Sequence, residues 1–138
     1  MNNSNLSVSP SGKIVPLRVK PLVAFTDDEQ CLLEFMSGVF RERGYETVTY
    51  ECHDDCLAQM PEVLPDVVIS DIFAPGINGL DLLLAVKKDP LLNSIPIIIL
   101  SGNIPRLEEE AKGCGAFACL SKPCDIEVIY QTVKNALS

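Results

Sequence analysis

Long apolar runs are missing from this 138-residue chain, and so are several residues that particular functions require. No stretch approaches the roughly 18 uninterrupted apolar residues that a membrane span needs. The opening MNNSNLSVSPSGK lacks the apolar block of a secretory signal, so a cytoplasmic protein with no membrane partner is expected. Basic residues are scarce: 11 Lys and Arg stand against 19 Asp and Glu, for a net charge of −8. The first 20 residues hold Lys13, Arg18 and Lys20 and no acid, so the remainder is more acidic still. Such a body argues against direct binding of DNA or RNA, which calls for clustered Lys and Arg. Histidine occurs once, as His53 in Glu51-Cys52-His53-Asp54-Asp55-Cys56. A closed zinc site needs four ligands, and Cys114, Cys119 and Cys124 lie far away in sequence, so this segment reads as a helix start with incidental thiols. The six cysteines are expected to be reduced. No internal repeat is present.

What the chain does have is enough apolar residue, 47%, to bury the core of one domain. Residues 1–19, rich in Asn, Ser and Pro, read as a flexible leader, and 20–138 as the domain. Within it, runs of strand length are predicted at about 21–26, 46–50, 66–71, 96–101 and 116–120. Helical spacing separates them. Leu32, Phe35, Met36, Val39 and Phe40 fall on one face before Gly44; Leu57 and Met60 mark a short helix stopped near Pro61; Leu80, Leu83, Leu84 and Val86 precede Asp89-Pro90. Pro105 opens a fourth helix carrying Glu108, Glu109 and Glu110, and Asp125 caps a fifth with the face Ile126, Ile129, Tyr130, Val133 and Leu137. Five β-α units with continuously apolar strands predict an α/β fold, a doubly wound parallel sheet with helices on both faces.

In such sheets ligands bind beyond the carboxyl ends of the strands. There the sequence places Thr26-Asp27-Asp28, Ser70-Asp71, Ser101-Gly102 and Ser121-Lys122-Pro123. If the first and third strands are neighbours, three carboxylates converge. Two unit charges about 4 Å apart repel by about 4 kcal/mol at an effective dielectric of about 20, so the cluster raises a pKa or recruits a cation. Lys122 supplies one charge, which is too few, and all-oxygen ligation suits Mg²⁺. An aspartate beside Mg²⁺ is a competent phosphoryl acceptor. Asp71 would attack, Asp27 and Asp28 would hold the metal, and Lys122 and Ser101 would grip the phosphoryl group. Taken singly, Asp27 and Asp28 read more readily as helix caps, Ser101 as a turn hydroxyl and Lys122 as a surface charge; it is their joint occurrence at the strand ends that reverses this.

These residues, in this order, resemble the receiver domain of two-component response regulators over about residues 20–138. The resemblance rests on Asp27-Asp28-Glu29, on Ser70-Asp71-Ile72-Phe73-Ala74-Pro75, on Asn78-Gly79, on Ser101-Gly102 and on Lys122-Pro123. It implies a flavodoxin-like strand order 2-1-3-4-5, Asp71 as phosphoacceptor, and Asp28 as the main metal carboxylate assisted by Asp27. It also implies the backbone carbonyl of Phe73 as a further Mg²⁺ ligand and a cis Lys122-Pro123 bond that aims the lysine at the site. The phosphoryl donor would be a sensor histidine kinase or a histidine phosphotransfer protein, the output a downstream protein target. The chain would be a signalling phosphoacceptor, not an enzyme, whose only catalysis is its own phosphorylation and dephosphorylation. Phe73 and Asn103, each two residues past a site residue, would flank the path of the hydrolytic water.

Three positions depart from the family pattern. Ala74 replaces Met and Asn78 replaces an acid, both in the turn beyond the acceptor. Cys119 stands where an aromatic usually moves inward as the hydroxyl residue shifts, so switching here must work differently; Phe117, two residues earlier, either meets a partner or packs beneath a helix. An aspartate-based phosphatase is disfavoured because its second acid would fall at Phe73, and a flavin site because Asp27-Asp28-Glu29 would repel a phosphate. A receiver-like module acting without phosphate is the remaining alternative to the expected stand-alone, phosphorylation-dependent switch.

Overall fold

The computed structural model describes residues 6–8, 12, 14–16, 19–102 and 105–138. Strands β1 (Leu6–Val8) and β2 (Ile14–Pro16) pair antiparallel within the leader, a regular element that its composition did not suggest. The domain then runs β3 (Leu22–Thr26), α1 (Gln30–Glu42), β4 (Glu46–Tyr50), α2 (His53–Val63), β5 (Val67–Asp71), α3 (Gly79–Lys88), β6 (Ile97–Ser101), α4 (Pro105–Gly113), β7 (Ala118–Ser121) and α5 (Ile126–Leu137). The sheet is parallel in the order β4-β3-β5-β6-β7, the 2-1-3-4-5 order expected for the five domain strands.

The pleat divides the core into two layers. Val23, Phe25, Val67, Ile69, Ile98 and Leu100 face α1 and α5, meeting Leu33, Met36, Phe40, Ile129 and Val133. Their alternates Ala24, Val68, Ile97 and Ile99 meet Cys56, Met60, Leu82, Leu83, Val86 and Ala111 of α2, α3 and α4. Because side chains alternate along a strand, a strand buried on both faces must be apolar at every position, which is why VVIS and IIIL carry no polar interruption before their ends.

Four expectations shift. The buried stripe of α1 centres on Leu33, Met36 and Phe40, leaving Phe35 56% exposed. In α3, Leu82 is buried in place of the exposed Leu84. Helix α2 passes through Pro61 to Val63: near the end of a helix the missing N–H removes one bond, Cys56 and Met60 anchor the turn, and the helix stops at Leu64 in the left-handed region (φ 48°). Strand β7 starts two residues later than expected, since the N–H groups of Cys114, Gly115 and Ala116 are still closing the end of α4. Asp125 caps α5 as predicted, accepting from the Glu127 N–H at 2.9 Å.

Candidate functional site

All five domain strands end at one edge, which gathers Asp27, Asp28, Asp71, Ser101 and Lys122. Register fixes the neighbours: Thr26 is level with Ser70, Asp71 with Leu100, and Ser101 with Ser121. Among the described residues one group of carboxylate, thiol or imidazole side chains converges closely enough to share a cation. It is Asp27, Asp28 and Asp71, with ligand oxygens within 4.8 Å of one another. The Cys52-His53-Cys56 segment forms no such group among the described residues.

Neither acid is the N-cap of α1. Glu29 occupies the N-cap of α1 without a side-chain cap bond, and Asp27 Oδ1 accepts from the Glu29 N–H at 3.0 Å. Asp27 Oδ2 receives Lys122 Nζ at 2.8 Å, and the same ammonium stands 3.5 Å from Asp71 Oδ1. The Lys122-Pro123 bond is cis. Burial raises the Asp71 carboxyl above the usual range; Lys122 and the Ile72 and Phe73 backbone oppose this, while the charge of Asp27 reinforces it. Burial alone would lower the Lys122 ammonium, but the hydrogen bond and charge of Asp27, with the charge of Asp71, raise it. Lysine therefore stays a cation between two acids.

The turn after Asp71 is set by close approach. A Cβ at Gly79 would lie 2.3 Å from the Asp71 carbonyl oxygen, and the Gly79 N–H donates to the Ile72 carbonyl at 2.6 Å, so α3 starts directly against the strand end. Gly76 holds φ +85°, and a Cβ there would meet the Asp54 carboxylate, which accepts from the Ile77 N–H at 3.1 Å. Asn78, where the family pattern has an acid, is the N-cap of α3 in a reciprocal capping box with Asp81. Phe73 is 58% exposed beside this turn, and Asn103 lies outside the described residues.

Two features escaped sequence reasoning. His53 is fully buried and its Nδ1 is 2.7 Å from Thr26 Oγ1, below the acidic edge. Burial lowers its pKa from the ordinary value, against the raising effect of Asp27, the Asp71 backbone, Asp54 and Asp28. The buried Ser101 hydroxyl donates to Glu108 Oε1 at 3.0 Å. A threonine at the strand end and a glutamate one turn into α4 were visible signals, but their partners depend on the crossing of distant segments.

The profile of the response regulator receiver domain matches residues 23–134. The chain belongs to this family. It is 27% identical over 117 residues to protein PilH of Pseudomonas aeruginosa, covering 84% of this chain and 97% of PilH. It is also 27% identical to the polar-differentiation response regulator DivK of Brucella ovis, covering 83% and 94%. The high-resolution structure of the chemotaxis response regulator CheY4 of Vibrio cholerae superimposes with a TM-score of 0.80 at 28% identity, over 86% of this chain and 100% of that one. This receiver is thus a component of two-component signalling, a class of phosphoacceptors that bind Mg²⁺ at an acidic pocket and interact with histidine kinases or phosphotransfer proteins.

Proposed function

We propose that residues 20–138 form a cytoplasmic, phosphorylation-dependent switch that accepts a phosphoryl group on Asp71 and signals through protein partners, with 1–19 as a separate leader. The observation that carries the reading is the Lys122 ammonium bridging Asp27 and Asp71 at 2.8 and 3.5 Å. Converging carboxylate oxygens fit a hard cation such as Mg²⁺, which Asp27, Asp28 and Asp71 would hold together with the Phe73 carbonyl. When bound, the ion supplies positive charge to the phosphoryl oxygens.

The chain's own residues do the rest. An Asp71 oxygen forms the new P–O bond as the P–N bond of a donor phosphohistidine breaks and its electron pair leaves on the imidazole. Lys122 pairs with a non-bridging oxygen, and the Ser101 hydroxyl donates to another. The donor is a sensor histidine kinase or histidine phosphotransfer protein. Half-buried Leu32 and exposed Pro123, which border a cavity of about 410 Å³ beside Lys122, support a protein donor with an apolar surface, as does exposed Phe35 on α1. Loss of the phosphoryl group is by hydrolysis at the same site.

The test is intact-protein mass after incubation with acetyl phosphate, with and without Mg²⁺, on wild type and Asp71→Asn. One added phosphoryl group that requires both Mg²⁺ and Asp71 is expected. Equal labelling of the two proteins sinks the assignment. One observation favours a second reading, a module that acts without phosphate: the Ser101 hydroxyl is already bonded to Glu108. Failure of the folded protein to take label from any donor selects that reading.

A further inference from the structure

Ser101 and Ser121 are level across the β6-β7 pair, so their side chains leave the sheet on one face. Both hydroxyls donate to the same atom, Glu108 Oε1, at 3.0 and 3.1 Å. Glu108 belongs to α4, which buries only Ala111 fully and Leu107 in part. The Cys119 thiol adds a weak contact to the Glu108 carbonyl at 3.7 Å. With so small an apolar anchor, α4 depends on these polar ties more than the other helices do. Ser101 stands just beyond Leu100, the register partner of Asp71 on the neighbouring strand.

A serine hydroxyl has one proton to donate. It serves the Glu108 carboxylate or a phosphoryl oxygen on Asp71, not both. We infer that Glu108 is a positioning residue that latches Ser101, and that phosphorylation of Asp71 draws the hydroxyl away and frees the start of α4. The inference rests on the phosphoacceptor reading above. It assigns the coupling between site and helix to a carboxylate in a chain where Cys119 provides no aromatic to do so.

The experiment measures the initial rate of Mg²⁺-dependent labelling by acetyl phosphate, together with hydrogen exchange of α4 with and without beryllofluoride, a phosphoryl mimic. Glu108→Ala is expected to raise the rate on the order of fivefold, the worth of one net hydrogen bond, and Glu108→Gln to raise it less. In a Ser101→Ala background Glu108→Ala has no further effect. Beryllofluoride lowers protection of α4 in wild type, whereas in Glu108→Ala the helix exchanges fast with and without it. Glu109→Ala, which removes an exposed charge from the same helix, controls for bulk electrostatics. Labelled wild type with an unchanged Glu108→Ala rate, or an equal gain in the Ser101→Ala background, overturns the latch alone. No label or beryllofluoride response on any protein overturns the receiver chemistry, and the latch with it. Should Glu108→Ala fail to fold, Glu108→Gln decides: no gain in rate overturns the latch.

Discussion

Thr26 Oγ1 and His53 Nδ1 lie 2.7 Å apart with both side chains buried, joining the end of β3 to the start of α2 directly below the acidic edge. The ring is held neutral because burial opposes its charge. In the unfolded chain it binds a proton near its ordinary value of 6.5, so below that pH the unfolded state holds more protons than the folded one. Stability contributed by neutral His53 is therefore present above about 6.5 and lost as pH falls toward the lowered folded value, by at most about 1.4 kcal/mol per pH unit. Urea unfolding between pH 8 and 5.5 should show a steeper loss for wild type than for His53→Gln; parallel curves would refute the claim.

Asp71 is expected to cost stability at neutral pH. Its folded pKa is raised chiefly by burial, so its stabilising contribution is complete below the ordinary carboxylate value and is lost as pH rises through the folded one. Asp71→Asn should melt higher than wild type at pH 7, with the gap narrowing toward pH 4. Mg²⁺ should raise the melting temperature of wild type more than that of Asp71→Asn, which keeps Asp27 and Asp28 but loses one ligand, because a ligand stabilises the folded state in proportion to how well it binds it. A lower melting point for Asp71→Asn at pH 7 would contradict the burial argument.

Gly79→Ala introduces a methyl group 2.3 Å from the Asp71 carbonyl oxygen, where backbone must move. A cost of about 2–3 kcal/mol is expected from overpacking, with slower labelling of the displaced acceptor. The urea midpoint and the initial rate of phosphorylation report the two effects; a wild-type midpoint would show that the turn yields freely.

Thiol reactivity should rank by burial. Cys31 is exposed, whereas Cys56 is fully buried and its thiol is pushed up to about 12 by burial. Iodoacetamide at pH 8 should modify Cys31 within minutes and Cys56 only after unfolding, since the thiolate is the nucleophile. Peptide mapping of the native protein checks this, and early label on Cys56 would refute it.

Much of this molecule is dictated locally. Alternating apolar strands and 3.6-residue helical spacing give the β-α order, and acids, hydroxyls and a Lys-Pro pair at the strand ends mark the edge where Asp27, Asp28, Asp71, Ser101 and Lys122 meet. The sequence could do this because a strand buried on both faces tolerates polar residues only where it leaves the core, so its reactive residues declare themselves by position. Choices within a helix were less legible. Phe35 and Leu84 have the spacing of core residues yet face outward, since the direction from which the sheet covers α1 and α3 sets which apolar stripe is buried.

Pairings between distant segments were decided by tertiary structure alone. The Thr26–His53 bond spans 27 residues, and no local pattern encodes that separation. The same holds for Glu108, one of three consecutive glutamates on α4 and the one whose carboxylate reaches Ser101 and Ser121. Helical rotation separates neighbouring residues by about 100°, so which glutamate faces the sheet follows from how α4 packs on β6 and β7, a relation that exists only once the chain has folded.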